Sequence, residues 1–180
     1  KIDLTKIYTY DPVFTSQYKT SSSSLYAQAS TPLRDYLALK SGLRFEKWQS
    51  NYADIKQING KNNENLFGGK LTLELTTDAE NLLFASLTRG YKAGGFNSEV
   101  NLPTESDRQF DTEYQWNYEV GAKFYSPDGK FSNNFNAFYV DRKDLQLKSS
   151  SYNNSANKWI EFVANAGAGY SYGVEWEVTW

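Results

Sequence analysis

Apolar and polar residues alternate along this chain with a period of two. From Tyr114 onward one parity reads Tyr114, Trp116, Tyr118, Val120, Ala122, Phe124, and the other reads Gln115, Asn117, Glu119, Gly121, Lys123, Tyr125. Successive side chains of a strand point to opposite faces, so the pattern predicts a strand with one apolar and one polar face. The C-terminal stretch repeats it, with Tyr170, Tyr172, Val174, Trp176, Val178 and Trp180 against Ser171, Gly173, Glu175, Glu177 and Thr179. Leu37, Leu39, Leu43 and Phe45 oppose Lys40, Gly42, Arg44 and Glu46, while Leu71, Leu73 and Leu75 oppose Lys70, Thr72, Glu74 and Thr76. About eight antiparallel strands joined by hairpins result, several matching the roughly 9 to 11 residues that cross a bilayer at a tilt.

The breaks between strands alternate in length. Short turn-forming runs lie at residues 31–35, 77–81 and 126–130, and longer polar segments at 12–21, 49–65, 97–112 and 149–157. In an antiparallel chain every second connection falls at the same end, so the short turns collect at one end and the long loops at the other. Transmembrane β-barrels have this asymmetry.

Composition narrows the class. The chain has 180 residues, of which 22% are charged and 17% aromatic. Mean hydropathy is −0.67, and no apolar run reaches the roughly 18 residues of a helical membrane span. With Cys 0, Met 0 and His 0, thiol and imidazole chemistry and Cys/His zinc sites are excluded. A net charge of −2 gives no basic surface for nucleic acid. Lys1 follows no signal peptide or initiator Met, so the chain is expected to be an internal or processed piece of something larger.

Periodicity alone leaves open which face points inward. A soluble barrel or sandwich buries its apolar stripe, whereas a membrane barrel turns it to lipid around a polar lumen. Two features favour the membrane barrel. Aromatics occupy both ends of the stripe that begins at Tyr114 while Val120 and Ala122 fill its middle, as rings at two membrane interfaces would. Loop asymmetry is the second. The polar parity then places Lys40, Arg44, Glu46, Lys70, Glu74, Lys92, Glu119, Lys123, Glu175 and Glu177 toward the lumen. Gly121→Ser on that parity is expected to be milder than Val120→Arg on the lipid side. Arg89 falls on the apolar parity late in its strand, near the outer headgroups, and Tyr91 and Trp48 are expected in the interface girdle.

Other chemistry reads weakly. Gly167, Gly169 and Gly173 precede a strand rather than a phosphate-binding helix and mark a bend or bulge. Glu119, Glu175 and Glu177 are solvated lumen charges rather than a glycosidase pair. The run Asp141, Arg142, Lys143, Asp144 lacks the oxygen ladder and glycine of a calcium loop, and reads as a strand emerging from the membrane.

Five runs carry a resemblance. Leu83 to Asn97 includes Arg89, Gly90, Tyr91, Lys92, Gly94, Gly95, Phe96 and Asn97, and resembles the Arg-Gly-Tyr-Lys-x-Gly-Gly-Phe-Asn strand of TonB-dependent outer-membrane receptors. Ser41 to Glu46 is similar to their Gly-Leu-Arg-aromatic-Glu strand, and Tyr118 to Lys123 to their Tyr-Glu-Val-Gly-x-Lys strand. Asn136 to Gln146 resembles the Ala-Phe-Tyr-x-Asp-x-Lys-Asp-Leu-Gln strand, and Asn165 to Gly167 with Gly173 to Glu177 the closing Asn-Ala-Gly, Gly-Val-Glu-x-Glu pattern. The runs arrive in the family's order. The resemblance implies an all-β, antiparallel up-and-down transmembrane barrel of about 22 strands in full. Residues 1–180 would form a partial barrel domain, its central part, without the plug domain or the remaining strands.

The resemblance further implies transport of a scarce solute, most often a ferric siderophore complex, by a protein of the outer membrane of a Gram-negative-type bacterium. It implies no catalysis and no cofactor, since iron would arrive within the chelate. Partners would be the TonB complex acting through the plug, outer-membrane lipid and lipopolysaccharide, and the ligand. Loop aromatics and hydrogen-bonding residues are the candidate ligand contacts: Trp48, Tyr52, Phe96, Asn97, Arg108, Tyr152 and Trp159. Shortening 49–65 and 97–112 is expected to weaken binding yet leave insertion intact. A passive porin-like barrel and a soluble all-β carbohydrate-binding module are the alternatives.

Overall fold

A computed structural model describes residues 15–77, 81–99, 101–154 and 157–180. Seven long strands form one antiparallel sheet: β1 (Ser16–Arg34), β2 (Leu37–Asp54), β3 (Asn59–Thr76), β4 (Leu82–Lys92), β7 (Glu113–Tyr125), β8 (Ser132–Lys143) and β11 (Ala168–Thr179). Sequence neighbours pair throughout, in the order β1-β2-β3-β4-β7-β8-β11. Four short strands lie in the connections as two ribbons, β5 (Gly95–Phe96) with β6 (Gln109–Phe110) and β9 (Gln146–Asn153) with β10 (Lys158–Asn165). The sheet is a section of barrel wall with β1 and β11 at its edges, and it does not close among the described residues.

Register carries the parity across the whole wall. One row runs Thr31, Leu39, Leu73, Ala85, Val120, Ala137, Val174, and the next Ala29, Ser41, Leu71, Leu87, Tyr118, Tyr139, Tyr172. Between them lies the row Ser30, Lys40, Thr72, Ser86, Glu119, Phe138, Gly173 on the opposite face. The apolar rows stay open, with Val120 53% and Val174 64% exposed, whereas cavities lie against the polar face, which is therefore the concave one. An exposed apolar exterior around a polar concavity is a membrane barrel's arrangement, the reverse of a soluble sandwich. No helix among the described residues is long and apolar enough to cross a membrane.

Short connections fall at one end. Asp35 and Tyr36 join β1 to β2, and the β7–β8 turn closes through Gly129 at φ +68°, with Ser126 Oγ donating to Asp128 Oδ1 at 2.6 Å. The 77–81 turn joins β3 to β4 at this end, although residues 78–80 lie outside the described residues. At the other end residues 93–112 and 144–167 make the long excursions that carry the two ribbons.

The 49–65 segment is not a loop. β2 and β3 run 18 residues each and stay paired up to Ala53↔Asn59, so the break shrinks to a tight turn. There Asp54 Oδ1 accepts from the backbone N–H of Lys56 at 2.9 Å and of Ile58 at 3.1 Å. Strand β1 likewise absorbs the 12–21 segment from Ser16 onward, Pro12 to Phe14 lying outside the described residues. Shortening 49–65 would thus remove ladder from the wall rather than trim a loop. The 149–157 segment is also mostly paired, within the β9–β10 ribbon, although residues 155 and 156 lie outside the described residues.

With two open sheet edges and an apolar exterior, the 180-residue chain expressed alone in detergent-free buffer is expected to aggregate. Size-exclusion chromatography checks this, and a monodisperse, cooperatively melting monomer would contradict it.

Candidate functional site

Two regions of the wall bring chemistry together. The first is the concave polar face. A cavity of about 580 Å³ lies against Lys40, Lys70, Glu74, Glu119 and Lys123, and one of about 560 Å³ against Arg44, Glu46, Lys70 and Tyr91. A further cavity of about 260 Å³ touches Glu119, Lys123, Glu175 and Glu177. Nine of the ten residues assigned to the lumen by parity therefore line these spaces. Lys92 ends β4 opposite Glu113 and lines none of them.

Opposite charges pair along this surface, Lys40 Nζ to Glu74 at 2.7 Å and Arg44 Nη2 to Glu46 at 2.8 Å. Such wetted pairs contribute little stability, and mainly fix where charge sits. Tyr91 joins the second pair, accepting from Arg44 Nε at 3.1 Å and donating to Glu46 Oε2 at 2.8 Å. It is thus turned inward rather than to the interface girdle. The β3–β4 ladder stops at Gly69↔Arg89, and above it the absent side chain of Gly68 leaves room, a Cβ there falling 3.1 Å from Tyr91 Cε1. Trp48 shares the inner parity of Glu46 and Tyr52, and its Nε1 is buried without a hydrogen-bond partner.

The second region stands above the first, where the long connections fold back on β1–β3. Phe96 stacks on Tyr52 at 5.9 Å between centroids and meets Tyr18 edge-on at 6.3 Å. Gly60 lies beneath that ring, where a Cβ would come within 2.4 Å of Phe96 Cε1. The Arg108 guanidinium covers the Tyr52 ring at 5.4 Å and donates to the carbonyls of Asn97 at 2.8 Å and Glu99 at 2.7 Å. Burial, and then donation to Asp54 at 3.0 Å, push the Tyr52 phenol above its ordinary range. Asn97 clasps Val163 of β10 through both amide atoms, each at 2.8 Å. Tyr52, Asn97 and Arg108 are therefore buried, at 2%, 7% and 7% exposure, as the pins of this end of the wall. Tyr152 and Trp159 sit apart from them. Opposed on the β9–β10 ribbon, they meet edge-on at 5.5 Å and stay exposed, Trp159 at 67%.

Further pins escaped the sequence reading. Gln146 donates its side-chain N–H groups to the carbonyls of Ala93 at 3.0 Å and Asp111 at 2.9 Å, and its backbone N–H to Glu113 at 2.9 Å. Glu113 in turn pairs with Arg142 at 2.9 Å. Asn165 accepts from the Asp111 N–H at 2.7 Å and donates to the Asp144 carbonyl at 2.7 Å. The Gly94 N–H donates to Glu64 at 3.1 Å, and a Cβ there would fall 2.5 Å from the Phe110 oxygen. Gly94, Gln146 and Asn165 all lie in runs singled out as landmarks, so their positions were visible although their role was not.

No group of three or more His, Cys, Asp or Glu side chains able to hold a metal occurs among the described residues.

Known proteins agree with this architecture. The family described as TonB dependent receptor-like, beta-barrel matches residues 2–180. The chain belongs to that family. Among solved structures the TonB-dependent receptor chain is similar to the ferric yersiniabactin uptake receptor FyuA of Yersinia pestis, with 23% identity and a TM-score of 0.65 over 92% of this chain and 25% of that one. The ferric-catecholate import receptor Fiu of E. coli K12 matches at 13% identity and TM-score 0.66, over 91% and 26% of the two chains. The copper transporter OprC matches at 14% identity and TM-score 0.74, over 89% and 26%. At these identities the likeness establishes the fold, and the chain spans about a quarter of each of these proteins. It is an outer-membrane β-barrel segment of a Gram-negative-type bacterium, its turn end periplasmic and its loop end extracellular.

Proposed function

We propose that this segment serves a receptor that imports a scarce solute, a ferric siderophore complex, with energy delivered by TonB to a plug domain outside this chain. The exposed Tyr152–Trp159 pair on an extracellular ribbon, above a polar concavity of paired charges, carries this reading. Aromatic faces suit the organic shell of a chelate, and the segment's role is binding and conduction rather than catalysis. The names of two structural neighbours, a ferric yersiniabactin uptake receptor and a ferric-catecholate import receptor, support iron as the cargo. A bare copper ion fits this stretch less well, since it has no His, Cys or Met to offer as ligands. Iron would enter already chelated, as substrate.

In the complete receptor, Tyr152→Ala with Trp159→Ala is expected to weaken binding of the cognate ferric chelate about tenfold or more, the scale of an aromatic hot spot. Tryptophan fluorescence quenching over a panel of ferric siderophores measures it. Unchanged affinity across a panel that does bind would move capture to the plug or to other strands. Uptake of the chelate that persists without TonB would overturn the energy-coupled reading.

A further inference from the structure

Side-chain amides hold the β9–β10 ribbon to the loop end of the wall. Strand β10 has β9 as its strand partner, and two amide clasps join it to the connection 93–112. In the first, Asn97 Nδ2 donates to the Val163 carbonyl and Asn97 Oδ1 accepts from the Val163 N–H, both at 2.8 Å. Two residues on, the roles reverse: Asn165 Oδ1 accepts from the Asp111 N–H at 2.7 Å, and Asn165 Nδ2 donates to the Asp111 carbonyl at 3.1 Å. A primary amide presents a donor beside an acceptor, the pair that a neighbouring strand would offer, so each clasp stands in for a rung of ladder. Asn97 directly follows β5 and Asp111 directly follows β6, which places the clasps at opposite ends of the β5–β6 ribbon. That ribbon is itself fixed to the wall, by Phe96 on Tyr52 and by the Gly94 N–H on Glu64.

We propose that Asn97 and Asn165 are positioning residues for the capture rung, holding Tyr152 and Trp159 in the pose that meets a chelate. The inference rests on the capture reading above, and it reassigns Asn97, which the sequence suggested as a ligand contact. Both N–H donors of the Asn97 amide are taken, by the Asp107 carbonyl at 2.7 Å and by Val163, so it has none to offer a ligand. One clasp alone would let the ribbon pivot, whereas two clasps about 7 Å apart along β10 also fix its direction. Trp159 lies four residues before Val163, about 13 Å along the strand, so a rotation at the clasps sweeps the rung sideways. Ile160, at 1% exposure, anchors the ribbon beside Trp159, but apolar burial is non-directional and leaves orientation to the amides. A rung already held in place loses less freedom on binding than one on a swinging arm. With the ribbon released, only the fraction of receptors in the competent pose binds, and apparent affinity falls by that fraction.

The test uses the complete receptor in detergent. This stretch has no cysteine of its own, so nitroxides at Asn51→Cys on the wall and Ser150→Cys on the ribbon, both exposed positions, report the ribbon's pose without ligand. Electron–electron double resonance should give one narrow distance distribution in wild type and a broad one in Asn97→Ala with Asn165→Ala. Asn165→Ala alone, which leaves the buried Asn97 in place, should broaden it partly and serves if the double variant fails to insert. Stopped-flow quenching with the tightest binder of the ferric siderophore panel supplies the second readout. The double variant should lose about tenfold in affinity, as if one ribbon in ten held the competent pose, through slower association at unchanged dissociation. Tyr152→Ala with Trp159→Ala removes contacts instead and should speed dissociation. Narrow distances in both clasp variants would overturn the proposal, and so would a loosened ribbon with wild-type affinity. Faster dissociation in the clasp variants would make Asn97 a ligand contact and also overturn it. A rung variant that binds as wild type does would sink the capture reading and this inference with it, and the ligand-free distances tell that failure from a failure of the clasps.

Discussion

Val120→Arg is expected to lower the stability of the complete receptor in lipid by roughly 2 to 4 kcal/mol, the cost of a cation near the midplane of a barrel's lipid face. Val120 sits in the register row between Ala85 and Ala137, and is 53% exposed on the convex side. Neither neighbour offers a carboxylate, and with methyl groups on both sides a guanidinium there meets only lipid. Arg89 shows the contrast on the same face. Four residues farther along β4 than Ala85, it stands about 10 Å nearer the outer headgroups after tilt. Its guanidinium lies 4.6 Å from the centroid of Tyr114 and donates to the Phe67 carbonyl. At that height an arginine costs only about 0 to 1 kcal/mol before its ring contacts are counted. Urea unfolding of the receptor in vesicles measures the effect. A loss below about 1 kcal/mol for Val120→Arg would put that row at an interface and shift the whole assignment of membrane height.

Within the bilayer the wall was legible from parity, because lipid and lumen impose opposite chemistry on alternate residues. Leu71, Leu73 and Leu75 against Lys70, Thr72 and Glu74 mark the two faces of one strand, and the exposure of the apolar rows then decides which face meets lipid. Above the bilayer that contrast disappears. Asn59, Lys61, Asn63 and Asn65 face outward in water, while Asn62 and Glu64 face inward into a polar network. Both faces are polar, and the period-two signal vanishes although the ladder continues. Strand pairing is then propagated from below and closed by the Asp54 side chain, whose two backbone hydrogen bonds define the turn. An Asp two and four residues ahead of those N–H groups was the available signal, but the Asn-rich composition spoke more loudly for a loop.

The extracellular residues divide for a related reason. Sequence shows that Tyr52, Asn97, Arg108, Tyr152 and Trp159 lie near loops, but not which of them the loops consume. Folding back 93–112 onto β1–β3 brings backbone carbonyls into a partly dry space, and buried carbonyls need donors. Arg108 and Asn97 supply them and are thereby withdrawn from solvent. The β9–β10 ribbon docks through Gln146, Asn165 and the Val163 backbone, and its Tyr152–Trp159 rung lies beyond those contacts and stays exposed. The candidates that remain exposed are those on a rung of the ribbon whose side chains satisfy no buried backbone group.

Gly121→Ser should be damaging rather than mild, costing roughly 1 to 3 kcal/mol as an overpacking substitution. Parity places Gly121 on the lumen face, where a small polar residue looks harmless. Its cross-strand partner is Phe84, however, and that ring lies over the glycine, so an added Cβ would fall 2.4 Å from Phe84 Cζ. It would also fall 2.9 Å from the Phe135 backbone oxygen. The ring can swing toward the cavity that it helps to line, but the oxygen belongs to the β7–β8 ladder and can move only with the strand. The two contacts are separable by a double-mutant cycle. Phe84→Ala removes the ring, so serine at 121 in that background should cost less than in wild type but still more than nothing, the remainder being the strand's displacement. Unfolding midpoints of the four receptors in lipid give both terms. A neutral Gly121→Ser in the wild-type background would mean that the ring does not cover the glycine, and that the wall is looser at β4–β7 than its register requires.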